Sequence, residues 1–262
     1  MNSPMMNQII NKVGTYNFSA EPFHCDFSNR IMPGHLGNQM LNASDYHSDE
    51  RGYGIRYLNT INKTWVLSRL CIEMEQFPKA YTQYTISTWV DKVMHSFTTR
   101  NFDVLSSDGT PLGYGRSIWA LIDTETRQPF EIAKVNNGVI QQFVETTRPC
   151  PIAEPDRVRI TQPTTLALQL KACYSDVDIN GHVNSIKYVE HALDLFDLSW
   201  YRQHQLKRID IAYVAESHEG DQLNFYKASL GNEEFAIKVV RFDKTAQTEK
   251  ECVRIKVKFV KE

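Results

Sequence analysis

The chain has 262 residues, 42% of them apolar, enough for one large domain or two of roughly 100 to 150 residues. Its 31 acidic and 29 basic side chains are well mixed and leave a formal charge of -2, so no basic block points to nucleic acid and no acidic tail to disorder. No stretch reaches the ~18 to 20 apolar residues that a membrane-spanning helix needs.

The opening Met1-Asn-Ser-Pro-Met-Met6 lacks the charged and apolar regions of a secretory leader, and a cytoplasmic protein is expected. The five cysteines, Cys25, Cys71, Cys150, Cys173 and Cys252, are widely spaced and contain no C-x-x-C pair. That pattern fits reduced thiols better than a disulfide frame or a zinc knuckle. Residues 16–27 read as extended, and Pro33-Gly-His-Leu-Gly-Asn-Gln-Met-Leu41 opens a helix. Strands follow near 64–73, 82–90, 95–104 and 115–123. Residues 127–163 hold five of the ten prolines and little periodicity, which reads as a crossing linker.

In the second half Leu166, Leu168, Leu170 and Ala172 alternate as in a half-buried strand. Asp176-Val-Asp-Ile-Asn-Gly-His-Val-Asn184 then sets Asp178, Asn180 and His182 at alternate positions, with the turn-prone Asn180-Gly181 between them. Val183, Ile186, Val189, Leu193, Phe196 and Trp200 recur at three- and four-residue steps, a stripe about five helical turns long. Four strands complete the half, at 208–214, 223–230, 235–242 and 251–260, with turns such as Gly231-Asn232 and Asp243-Lys244 between them. In the last, Val253, Ile255, Val257 and Phe259 face one way and Arg254, Lys256 and Lys258 the other, as in a strand with one wet side.

Strand, helix, four strands thus occurs twice. With Gly34-His35 aligned on Gly181-His182, the first copy keeps the histidine while Ile31 and Pro33 replace Asp178 and Asn180. One active site is expected in residues 164–262, with residues 1–126 supplying packing and the wall of a substrate pocket, and 127–163 joining them. A long helix wrapped by an antiparallel sheet, duplicated in one chain, is an α+β arrangement of two tandem hotdog domains.

Asp178-Ile-Asn-Gly-His-Val-Asn184, followed by Tyr188, resembles the D-x-N-x-H-V-N signature of the acyl-acyl carrier protein thioesterases, bacterial type. Tyr213-Val-Ala-Glu216-Ser217 resembles the strand of that family that carries a catalytic glutamate followed by cysteine; here the following residue is Ser217. The resemblance implies hydrolysis of a fatty acyl thioester on acyl carrier protein, with that carrier and the acyl chain as partners and no separate cofactor or metal. The molecule would be a monomer or a homodimer.

Thioester hydrolysis needs a base for water, a donor for the developing oxyanion and a proton for the leaving thiol. Asp178, Asn180, His182 and Glu216 are the expected catalytic set. Glu216 would activate water, His182 would share the proton network, Asp178 would orient that histidine, and Asn180 with the helix-start amides would bind the carbonyl. Which carboxylate is the base stays open at this level, since the two can titrate as a unit. Ser217 and Asn184 are supporting candidates; a serine without a base in reach is a poor nucleophile, and Asn184 also suits a helix cap. An acyl-coenzyme A thioesterase and a non-catalytic acyl-binding protein are the rival readings.

Overall fold

The computed structural model describes residues 11–243 and 248–261; the opening Met1–Met6 and the turn residue Lys244 lie outside them. Ten strands form one antiparallel sheet among the described residues. In chain order they are β1 Gly14–Ser19, β2 Lys63–Met74, β3 Gln83–Val93, β4 Phe97–Ser106, β5 Pro111–Asp123, β6 Thr165–Lys171, β7 His204–Tyr213, β8 Gln222–Gly231, β9 Glu234–Asp243 and β10 Thr248–Lys261. The helices are α1 Pro33–Glu50, α2 Ile55–Asn59, α3 Ser185–Leu193 and α4 Leu198–Tyr201.

The spatial order β1-β3-β4-β5-β2-β7-β10-β9-β8-β6 reads the same from either end once the halves are matched strand for strand. β2 meets β7 at its centre, where Cys71 lies opposite Asp210. Two copies of one β-α-β-β-β-β unit therefore join edge to edge, and each joining edge is covered by the other copy. Arg208 crosses this seam to Glu73 at 2.8 Å and also pairs with Asp210 in its own strand at 2.7 Å.

Alternating apolar residues bury one face of the inner strands, whereas in the edge strand β6 Leu168 and Leu170 are only half-buried and Leu166, expected on the same face, is 48% exposed where the register shifts between Leu166 and Leu168. In β10, Val253, Ile255, Val257 and Phe259 are at most 2% exposed, as their alternation requires. Both long helices lie on this face, and they approach each other at glycines. A Cβ on Gly34 would come within 2.6 Å of Glu190, and one on Gly37 within 2.8 Å of Ile186. The first-half helix can thus pack tightly beside the start of α3 only because those side chains are absent.

The second-half helix is shorter than its apolar stripe. It stops at Leu193 and α4 begins at Leu198, because Asp197 caps the new helix by accepting the Trp200 amide at 2.8 Å. Phe196 and Trp200 keep their periodic burial on a bent chain, Phe196 lying 4.9 Å from Phe235 and 4.8 Å from Phe259 between ring centroids. Residues 127–163 are also less plain than their prolines suggest. Ile132, Val135 and Ile140 close a second apolar cluster with Tyr53, Leu58 and Leu121 of β5.

Candidate active site

The Asp178 turn is held by backbone geometry that five short hydrogen bonds define. Asp178 N donates to His182 O at 2.9 Å, Gly181 N to Asp178 O at 3.0 Å, and Asn180 N to the Asp178 carboxylate at 2.8 Å. Gly181 takes φ +77°, a conformation that glycine adopts without steric cost. Val183 N then donates to Ser217 O at 2.8 Å and Asn184 N to Asp176 O at 2.8 Å, tying the turn to the segment that follows β7 and to the stretch before the turn itself.

That tie brings Glu216 to His182. Glu216 Oε2 lies 3.5 Å from His182 Nε2, while Oε1 of the same carboxylate pairs with the guanidinium of Arg127. His218 turns its ring edge-on to His182 at 5.0 Å between centroids. The separation of 3.5 Å is longer than a formed hydrogen bond. Glu216 and His182 are each about one-third exposed, open enough to meet a water and buried enough to be oriented.

Asp178 stands in the same wall but its carboxylate serves its own turn, and the acid paired with the His182 ring is Glu216. Asn180 is exposed at the rim. Asn184 caps α3, its side-chain oxygen accepting the Ile186 amide at 2.8 Å, while Lys187 N donates to Asn184 O. Those two helix-start amides are therefore already engaged. Ser217 is fully buried and its hydroxyl donates to Cys252 Sγ at 3.2 Å, so it faces the core and not the cavity.

Behind the turn, Asp176 is buried and bridges two elements. Its carboxylate accepts the Cys173 amide at 2.8 Å and lies 2.9 Å from His191 Nε2 on α3. Burial would raise this carboxyl, but the Cys173 amide and the His191 contact outweigh it and hold the group below the usual carboxylate range. Neither partner was singled out by the sequence, where Asp176 and His191 stand fifteen residues apart without a motif.

The turn opens into a cavity of about 1080 Å³. Asp178, Asn180, His182, Asn184 and Glu216 line one end, and the first half supplies much of the rest: Leu41 of α1, Tyr53, Trp65 of β2, Trp119 of β5 and Ile140. Trp65 and Trp119 thus line the cavity, while Trp89 and Phe102 are buried and Phe97 is exposed. Arg127, which reads as the first residue of a linker, reaches the site because β5 ends beside it. Among the described residues, no group of three or more His, Cys, Asp or Glu is placed to hold a metal ion.

The first half repeats the turn five residues earlier than the glycine-histidine alignment puts it. Asp26 N donates to Arg30 O at 2.8 Å, Asn29 N to Asp26 O at 3.0 Å, and Ser28 N to the Asp26 carboxylate at 2.8 Å, bond for bond the Asp178 turn. Ile31 N donates to Pro78 O at 2.9 Å as Val183 N does to Ser217 O. So Asp26 matches Asp178, Ser28 matches Asn180, Arg30 matches His182 and the buried Phe77 matches Glu216. The first copy keeps the acid and lacks the histidine and the glutamate, which corrects the expectation from sequence. His35 sits inside α1, stacked on His24 at 4.1 Å. The cavity beside Asp26, Arg30 and Phe77 has shrunk to about 40 Å³.

Residues 12–140 match the profile of the acyl-ACP thioesterase N-terminal domain and residues 160–261 that of the C-terminal domain. The structure resembles that of an acyl-ACP thioesterase from Bacteroides thetaiotaomicron, with a TM-score of 0.87 and 44% identity, covering 95% of this chain and 98% of that one. It shares its fold with the 12:0-ACP thioesterase of Umbellularia californica, at a TM-score of 0.81 and 18% identity over 96% and 98% of the two chains. A chloroplastic palmitoyl-acyl carrier protein thioesterase of Gossypium hirsutum is 25% identical over 187 residues, 70% of this chain and 45% of that protein. The chain spans less than half the length of the first curated relatives it matches, 45% and 42%.

Proposed function

The chain belongs to the acyl-ACP thioesterase family, and from that premise we propose that it hydrolyses fatty acyl-acyl carrier protein thioesters to free fatty acid and acyl carrier protein. The observation that carries the reading is the Glu216–His182 pair, 3.5 Å apart, at one end of a cavity of about 1080 Å³. A base and a proton carrier facing each other, beside a cavity large enough to enclose a ligand, meet the needs of acyl transfer to water.

Glu216 takes a proton from water as its oxygen attacks the thioester carbon. The carbonyl oxygen becomes an oxyanion beside Asn180, which is exposed at the rim. Collapse reforms the carbonyl, breaks the C–S bond and sends the sulfur electron pair to the phosphopantetheine thiolate, which receives its proton through His182. Asp178 acts through the turn that carries Asn180 and His182. Arg127 holds Glu216 in place through its second oxygen. Ser217 and Asn184 support the site from behind, one by anchoring Val183 and the other by capping α3.

In this reading the fold is two tandem hotdog domains, residues 1–126 and 164–262, joined by 127–163. The second carries the chemistry and the first the acyl cavity, in a cytoplasmic enzyme that needs no cofactor beyond the arm on its substrate and works as a monomer or a homodimer. No described helix is long and apolar enough to cross a membrane. Thiol release from matched acyl-acyl carrier protein and acyl-coenzyme A substrates tests the proposal. Turnover with the protein carrier supports it, preference for coenzyme A replaces the partner, and binding without turnover overturns it.

A further inference from the structure

The chemistry assigned to His182 needs its ring in one orientation, with Nε2 toward Glu216. The turn fixes the backbone there, since Asp178 N donates to His182 O at 2.9 Å, but it leaves the side chain its rotamers. The Glu216 carboxylate at 3.5 Å is beyond a formed hydrogen bond and the ring is partly exposed, so neither that contact nor burial fixes the choice among them.

What meets the ring is a second imidazole. His218 stands edge-on to His182, with 5.0 Å between centroids and 76° between planes, the arrangement in which the positive edge of one ring faces the negative face of the other. Among the described residues no hydrogen bond joins the two rings, so they meet by packing. The side chain of His218 is exposed, but its backbone begins a braced turn. His218 N donates to Asp221 Oδ2 at 3.0 Å, Asp221 N donates back to His218 O at 3.2 Å, and Arg241 of β9 lies 3.6 Å from the same Asp221 oxygen. Gly220 closes that turn at φ +85°, a conformation that suits glycine, and its N donates to Ala172 O at 2.9 Å.

The first half gives the comparison. The bond from Ile31 N to Pro78 O answers that from Val183 N to Ser217 O, so Lys79 holds the place of His218 as Arg30 holds that of His182. Arg30 and Lys79 are bridge partners across the two segments. The copy without the glutamate has a ring at neither of these two places, and the copy with it has a ring at both.

We propose that His218 is a positioning residue for the hydrolysis: its ring buttresses His182 and keeps Nε2 of that histidine toward Glu216, without meeting the substrate or carrying the proton. The inference rests on the thioesterase reading and adds a residue to its machinery.

The test measures kcat and KM for thiol release from acyl-acyl carrier protein by His218→Ala and His218→Phe. An edge-on ring contact biases a rotamer by roughly 2- to 10-fold. His218→Ala should therefore lower kcat by about that factor while KM and the thermal midpoint stay at their native values, and His218→Phe, which keeps a ring but exchanges no proton, should restore most of kcat. In a Glu216→Gln background His218→Ala should cost nothing more, because the pair it serves is already lost. Native kcat in His218→Ala, an equal loss in His218→Phe, or the same loss repeated in the Glu216→Gln background each overturns the inference. The native protein should also show a nuclear Overhauser effect between the His182 and His218 ring protons, and its absence overturns the inference even where a variant fails to fold. Absence of turnover on every thioester overturns the thioesterase reading and with it the role of His218, while the Overhauser effect still reports the ring contact.

Discussion

Replacing Glu216 by glutamine separates chemistry from architecture at this site. The amide keeps the shape of the carboxylate but cannot accept a proton at neutral pH, so an attacking water would lose its base. A positioned general base is worth about 10²- to 10⁴-fold in rate, or ~2.7 to 5.4 kcal/mol of activation free energy at ~1.36 kcal/mol per decade. The structural loss is far smaller. The pair with Arg127 is 43% exposed on the arginine side and 36% on the glutamate side, and solvent-screened pairs of this kind contribute about 0 to 1 kcal/mol. Steady-state thiol release from acyl-acyl carrier protein should therefore fall at least 100-fold, while the denaturant midpoint barely moves. Arg127→Gln is the control, since it removes the same ion pair and leaves the carboxylate. Retention of more than a tenth of the native kcat by well-folded Glu216→Gln would refute the assignment of the base.

Ser217→Ala should keep kcat within a few-fold, because the hydroxyl points at Cys252 in the core; a 100-fold loss in the same thiol assay would instead make Ser217 part of the chemistry. Gly37→Val should cost about 1 to 3 kcal/mol in urea unfolding, as overpacking does, because its first added carbon already meets Ile186 at 2.8 Å. Asp176→Asn tests the anchor behind the turn. The depressed carboxyl contributes stability that is fully present above its ordinary value of 3.8 and lost as pH falls through its lower folded value. Thermal melts of the variant should thus show a lower midpoint than the native protein at pH 7 and a shallower loss below about pH 4.

The strand order, both helix starts and the Asp178–Asn184 motif were readable because each has a local cause. Period-two alternation marks a strand with one wet face, and Asn180-Gly181 marks a turn. The register between the halves was not readable in the same way. Gly34-His35 looks like Gly181-His182 as letters, but the hydrogen bonds that define the turn occur at Asp26 and Asn29, with Asn29 taking φ +64° in the place of Gly181. Two unlike sequences satisfy one backbone there. Similarly, the stripe through Phe196 and Trp200 has the period of one helix, yet Asp197 divides it, and a single capping side chain decided what periodicity could not.

The chain alone determined that His182 stands beside a helix start and that Glu216 lies just past a later strand, since both follow from neighbouring residues. Only the folded chain decided that Glu216, not Asp178, is the acid at the His182 ring, because that depends on the Val183–Ser217 bond joining segments thirty-four residues apart. The same holds for Arg127, an ordinary basic residue in sequence, which owes its place beside the Glu216 carboxylate to the pairing of β5 with β2 and of β2 with β7 across the seam. Long-range pairing leaves no period or motif at the residues it brings together, and so the cavity and its lining belonged to the tertiary structure.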